Sequence, residues 1–259
     1  MQTFQEFLED LDPDRYGPDT ILVKNLIMSW LAINNSDIPL NLKKFNIHTL
    51  PVLPDTVTNL ICGNGYLVYI RSLPPNLERF ECHYAPSVRK LPVLPNTLKV
   101  LNVTGTAIKS LPLLPLSLTS IYAASTKLEV LPDLYSGIKH IVVAGTPINR
   151  LRFIPDTLET LDISGTNITA LPNLGNSLKH LNISNTSISI IPRFPYTLKQ
   201  IYAYSCEKLF VEWQRDNIEE YEQKWRNWHM KVAEMLRITE RNNVMKEDII
   251  MRSMKFDCQ

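Results

Sequence analysis

The chain has 259 residues, 44% hydrophobic and 20% charged, ordinary proportions for a folded soluble protein. Its 27 Lys and Arg against 26 Asp and Glu leave a net charge of +1, which argues against a nucleic-acid partner, because phosphate binding normally needs a clustered basic face. Glycine is scarce (8) and proline plentiful (18), a composition for stiff turns rather than flexible linkers.

Residues 1–36 read as helical. Phe4, Phe7, Leu8 and Leu11 mark one apolar stripe, and the segment DPDRYGPD breaks it with two prolines and a glycine. A second helix is expected with Asp19 as N-cap, its apolar residues Ile21, Leu22, Leu26, Ile27, Trp30 and Leu31 recurring at helical spacing. The acidic start MQTFQEFLED lacks the cationic opening and apolar run of a secretory signal. The longest apolar stretch, Ile21 to Ile33, contains Lys24 and Asn25 and falls short of the ~20 residues a membrane helix needs. The helices are expected to cap a stack of repeats, since an open stack exposes an apolar cross-section.

Repeats start at Ile38. IPLNLKKFNI carries the strand half of the pattern. LPVLPDTVTNLICGNGYLVYIRS (Leu50 to Ser72) reads as a unit with about three extra residues, which places Asn64, Tyr66 and Tyr69 on a protruding loop; LPPNLERFECHYAPSVRK reads as a shortened one. Loops on rigid scaffolds often carry function, so Tyr66 and Tyr69 are candidate contacts. From Leu91 to Phe210 the chain falls into six blocks of twenty without a gap, which brings the total to nine units.

Each block repeats L-x-x-L-x-V-x-x-T-x-I after L-P-x-L-P. One column is Leu98, Leu118, Ile138, Leu158, Leu178 and Leu198; the next is Leu101, Ile121, Ile141, Leu161, Leu181 and Ile201. The alternating centre predicts a short strand. The proline-rich half is incompatible with helix and must return extended along the opposite side. Thr106, Thr126, Thr146, Thr166 and Thr186 form a column at the strand exit, where a hydroxyl can satisfy backbone groups of adjacent turns; Cys206 takes the sixth place.

After Phe210 the composition shifts to charged helix formers. Trp213, Tyr221, Trp225, Trp228, Val232, Met235 and Leu236 recur at helical spacing and give one wide apolar face. This segment is expected to cap the last unit or to dock on another subunit through its tryptophans.

The four cysteines have no metal-finger spacing and are too few for a disulfide framework. Cys62 and Cys82 fall at core-facing positions, and a reducing compartment is the default. The residues flanking the strand ladder are small, neutral and hydroxyl-rich, with Asp162 their one acid within the regular array. Asp162, Tyr122, Tyr202 and Tyr204 are the candidate contacts there. His140, Asp162 and His180 stand near one column, but solvated polar side chains on an open sheet explain them better than a metal site. No phosphate loop, zincin motif or nucleophile elbow is present, and an open sheet supplies no enclosed pocket for catalysis. No cofactor is expected.

L-P-x-L-P followed by L-x-x-L-x-V-x-x-T-x-I resembles the leucine-rich repeats of the short, twenty-residue class, over roughly residues 38–210. The resemblance implies an α/β solenoid, a horseshoe with parallel concave strands and a polyproline-like convex side. Residues 1–37 and 211–259 would be its helical caps. Threonine stands where such repeats usually carry asparagine in the turn. The L-P-x-L-P form is similar to bacterial effectors delivered into host cells and to repeat proteins of large DNA viruses, some of them virion components. Effectors that are ubiquitin ligases carry a Cys-x-Asp motif in a further domain; Asp257-Cys258 has the wrong order. The resemblance thus implies a non-enzymatic scaffold that binds other proteins. The first expectation is a structural subunit of an assembly such as a viral capsid. The alternative is an effector that binds a host protein through its concave face. The expected location is the virion or the host cytoplasm.

Overall fold

The structure, a computed structural model, describes residues 4–9, 12–33, 35, 37–189, 195 and 197–206. The helix expected after Phe210, with Trp213, Trp225 and Trp228, lies outside the described residues.

Three helices come first: α1 Phe4–Glu9, α2 Pro13–Tyr16 and α3 Thr20–Ile33. Asp12 caps α2, its carboxylate accepting from the Asp14 N–H (2.9 Å), and Pro13 occupies the first turn, where a missing N–H is tolerated. In α3 the packed face runs through Thr20, Val23, Ile27 and Trp30, whereas Ile21 and Leu22 point outward at 57% and 54% exposure. The apolar stripe expected through Ile21 and Leu22 is corrected accordingly. That helix has apolar residues on most of its circumference, so spacing alone did not select the inner face. Hydrogen bonds fasten the helices to the first unit. The Asp19 carboxylate accepts from the Asn46 N–H (2.7 Å), the His48 N–H donates to the Tyr16 carbonyl (2.6 Å), and the Trp30 indole donates to the Ile38 carbonyl (2.8 Å).

The strands that follow are short. They are β1 Leu40–Asn41, β2 Thr49–Leu50, β3 Asn59–Ile61, β4 Tyr69–Ile70, β5 Arg79–Glu81, β6 Val100–Asn102, β7 Ser120–Tyr122, β8 His140–Val142, β9 Thr160–Asp162, β10 His180–Asn182 and β11 Gln200–Tyr202. Nine form one parallel sheet in the order β1-β3-β5-β6-β7-β8-β9-β10-β11. At ~4.8 Å per strand the stack is roughly 40 Å long. In register, Leu40, Leu60, Phe80, Leu101, Ile121, Ile141, Leu161, Leu181 and Ile201 form a continuous buried row. β2 and β4 pair separately, Thr49 with Tyr69 and Leu50 with Ile70.

This register overturns the expected insertion after Cys62. Leu40, Leu60 and Phe80 follow one another at the same interval of twenty as the later turns. Leu73-Pro74 corresponds to the second Leu-Pro of the repeat, and Ile70-Arg71 stands in place of the first. The one longer step is from Phe80 to Leu101, where the turn closed by the Val88 N–H on the Ala85 carbonyl (3.0 Å) takes up the additional residue.

The proline half turns tightly back into each strand. The N–H of Leu98 donates to the Pro95 carbonyl, that of Leu118 to Pro115 and that of Leu158 to Pro155, all at 3.0–3.1 Å, the i to i+3 closure of a β-turn. Tyr135 and Gly175 stand where the other turns carry that proline. A row of hydroxyls ties consecutive turns together: Thr97 to the Leu77 carbonyl (2.8 Å), Ser117 to Leu98 (2.7 Å), Thr157 to Ile138 (3.1 Å) and Thr197 to Leu178 (2.9 Å). Gly137 interrupts the row, and the Tyr135 phenol reaches the Leu118 carbonyl (3.3 Å) and the Pro115 carbonyl in its stead.

The threonine column is buried, and its main bonds lie within each turn rather than, as expected, between adjacent turns. The hydroxyls of Thr106, Thr126, Thr146, Thr166 and Thr186 donate to the carbonyl three residues back, at 2.6–2.9 Å. The Cys206 thiol also reaches a carbonyl of this row, that of Ile183 (3.1 Å). The residue before each threonine is in the left-handed region: Gly105, Ser125, Gly145, Gly165 and Asn185 have φ of 70°, 53°, 63°, 63° and 56°. Each donates its N–H to the next turn, as Ser125 does to the Ala144 carbonyl (2.7 Å). Ser125→Gly is therefore expected to raise stability by about 0.5–1 kcal/mol. Relief of the left-handed penalty, ~1–2 kcal/mol, exceeds glycine's extra entropy in the unfolded chain. The urea midpoint checks this, and a fall would contradict it.

Candidate protein-binding surface

In each strand of three the middle side chain is buried, and the outer two are half-buried or exposed apart from the small, buried Ser120 of β7. The sheet therefore presents one open face, on which the side chains change character from end to end.

At the first turns the face is charged. Arg79 Nε donates to Glu81 (2.6 Å), His83 Nδ1 stands 3.7 Å from the same carboxylate, and Lys43 Nζ lies 3.3 Å from His83 Nε2. This cluster is hidden in the sequence because it lies in the turns where the repeat frame is ambiguous. Alignment on Leu40, Leu60 and Phe80 recovers it.

The centre is small and polar. Asp162 is tied into the sheet: it accepts from the Ser164 N–H (3.0 Å), the Ser164 hydroxyl (2.7 Å) and the Asn182 amide (3.1 Å). Asn102 and Asn182 cap the next-but-one N–H in the same way, at 3.1 Å each, an Asx turn that ends the strand. Asp162 thus has a structural task beside any contact it makes. His140 Nδ1 pairs with Thr160 (3.2 Å) and His180 Nδ1 with Gln200 (2.9 Å). Each histidine is thus engaged by its neighbouring strand, and no group of three or more metal-ligating side chains converges among the described residues.

Tyr122 lies half-buried in the open face on β7. Tyr202 lies four strands further on, roughly 19 Å away at the usual strand spacing. Its ring is 6.2 Å from that of Tyr204, within aromatic contact range. Tyr204 also packs against the core, so its ring is shared between packing and surface. Tyr66 and Tyr69 do not join this face. Tyr69 is exposed on β4, in the separate two-stranded sheet, and Tyr66 is exposed in the preceding turn, where the Asn64 carboxamide caps its N–H (2.9 Å). The sequence-derived contacts therefore divide between the open face and the side of the first turns.

Beside the face, Lys179 pairs with Glu159 (2.5 Å), and the hydrogen bond from Lys179 holds the Glu159 carboxyl below its usual range. Inside, Cys62, Cys82 and Cys206 are free buried thiols. Burial, reinforced by the Cys82 thiol, raises the Cys62 pKa well above the ordinary value, so that thiol stays protonated and unreactive. No described helix is long and apolar enough to cross a membrane.

A Leucine Rich Repeat family model matches residues 177–198. No curated protein sequence matches the chain. Among solved structures, the chain is similar to YopM from Yersinia enterocolitica, with 20% identity and a TM-score of 0.58 over 78% of this chain and 52% of that one. It thus spans about half of the YopM chain. It is also similar to a Shigella effector leucine-rich-repeat domain, with 22% identity and a TM-score of 0.61 over 72% of this chain and 88% of that domain. Repeat period, strand register and backbone likeness agree: this chain has the leucine-rich-repeat solenoid fold.

Proposed function

We propose that the chain is a non-enzymatic recognition scaffold that binds another protein across the open face of its sheet. The observation that carries this reading is the face itself. It spans nine strands, is built on a packed ladder, and passes from a charged cluster through small polar residues to paired tyrosines. Small residues in the centre let a partner backbone approach, and tyrosine is a favoured anchor at interfaces. The likeness to a Shigella effector domain supports an effector-type role, with a host protein as partner. The narrower expectation of a capsid subunit draws no support from the comparisons. The location proposed with this role is the host cytoplasm, a reducing compartment that suits three free buried thiols.

The test is capture of partners from host-cell extract by the immobilised chain, followed by quantitative binding of the captured protein. Tyr122→Ala with Tyr202→Ala is expected to weaken binding at least tenfold, about 1.4 kcal/mol or more, with the urea midpoint nearly unchanged. Tyr204 is left in place because it also packs on the core. Unchanged affinity in the double variant would sink the open-face reading.

A further inference from the structure

The proline side of the solenoid carries a second surface, unrelated to the open face. In the Leu-Pro-x-Leu-Pro segments 91–95 and 111–115 the two leucines turn inward, and the residue between them turns out. Val93 and Leu113 hold that middle position in successive turns, with 87% and 91% of their surface exposed. Leu116, three residues on, is 83% exposed, and Phe153 holds the middle position two turns later at 53%. A row of apolar tips thus protrudes where a soluble solenoid would carry polar residues.

Basic side chains flank the row. Arg89 and Lys109 occupy equivalent positions of adjacent turns, Lys90 and Arg150 the neighbouring column, and all four are exposed. Three acids intervene: Glu129 opposite Lys109 (3.6 Å), Asp133 opposite Arg152 (3.7 Å), and Asp156, exposed in the column of Leu116 two turns on. Arg89, Lys90 and Arg150 have no acidic partner among the described residues. In a chain of net charge +1 this excess is local to one side.

From this pairing of features we infer that the proline-side ridge docks peripherally on an anionic lipid surface, its apolar tips entering the headgroup layer and its basic flanks meeting the lipid charge. Protruding aliphatic tips suit a deformable plane, which yields around each one. A peptide ligand would need a groove, and a row with Phe153 as its one aromatic tip offers no run of stacking platforms for successive bases. A second copy of the chain would bring the same basic flanks together and be repelled. Apolar tips and flanking cations are the two terms by which interfacial segments bind, and each Lys or Arg near the surface adds to the attraction. The docking involves no spanning segment and leaves the sheet free on the opposite side, so it stands or falls independently of the open-face reading.

The test is co-sedimentation of the full chain with phosphatidylcholine vesicles, with and without phosphatidylserine. The chain is expected to pellet with the mixed vesicles only, and less as salt is raised. Arg89→Glu with Lys90→Glu should lower the partition coefficient at least tenfold, and Leu113→Ser with Leu116→Ser about tenfold. Far-UV circular dichroism should be unchanged in both, since all four side chains are exposed. Absence of binding to mixed vesicles, equal binding to phosphatidylcholine alone, or full binding by both variants would overturn the inference. Pelleting without vesicles, lost in the Leu113→Ser, Leu116→Ser variant, would assign the ridge to self-association instead.

Discussion

Gly63→Ala is expected to destabilise the solenoid by about 3 kcal/mol, at the upper end of overpacking substitutions. A Cβ at Gly63 would stand 2.1 Å from the His83 carbonyl oxygen and 2.4 Å from the His83 nitrogen. Both are backbone atoms of the next turn, so no rotamer change can make room. The Cys62 N–H donates to the Glu81 carbonyl (2.9 Å) just before this contact, so a displaced His83 backbone would also strain the ladder between the two turns. Gly65→Ala is the control: nothing lies within 4 Å of the Cβ it would add, and its effect should stay within about 0.5 kcal/mol. Urea denaturation of the two variants side by side measures the difference. Equal midpoints would mean that the turns can separate at Gly63 without loss, against the close packing of the first units.

That crowded contact lies where the sequence was hardest to read, and the reason is structural. The columns from Leu98 to Leu198 were legible because each position recurs every twenty residues and meets its own copy one strand away. Leu-Pro, however, occurs twice in the units that start at Leu50, Leu91 and Leu111, so it marks the frame ambiguously. In the turn before Phe80 the first Leu-Pro is replaced by Ile70-Arg71, and counting from Leu73-Pro74 creates an insertion and a deletion that the strand register does not contain. Strand pairing keeps its register because one slipped residue would turn the whole apolar row outward. The charged cluster of Arg79, Glu81 and His83 was lost to view through the same misplacement.

The open face was legible as the residues flanking each buried strand position. What those side chains do was not. Asp162 looked like a free acid and proves to be bonded to Ser164 and Asn182, because the distance between neighbouring strands lets like columns bond across the sheet. The outward tips Val93 and Leu113 were hidden for another reason. Extended proline-rich chain repeats about every three residues, so in L-P-x-L-P the two leucines turn inward together and an apolar residue between them faces water. A composition count records all three as core.

Phe80→Ala should have the other large effect, about 3–5 kcal/mol, and its consequences should be unevenly spread along the chain. Phe80 is fully buried and is the one aromatic in the central row, between Leu60 and Leu101. In a solenoid each unit contacts only its neighbours, so stability is approximately a sum of unit and interface terms. A cavity at β5 weakens its interfaces with β3 and β6 and leaves those between β8 and β10 untouched. Hydrogen exchange should therefore accelerate most in β1, β3 and β5, while the amides of β9 and β10 keep most of their protection. Equal acceleration throughout would show one cooperative unit and contradict the nearest-neighbour picture. The substitution also separates the two ends of the open face, since the Arg79–Glu81 cluster lies on the weakened strands and the Tyr202–Tyr204 pair does not. Partner capture that survives Phe80→Ala but fails in the Tyr122→Ala, Tyr202→Ala variant would assign recognition to the aromatic half of the sheet. Loss of capture in both variants would show that recognition needs the charged half as well as the tyrosines.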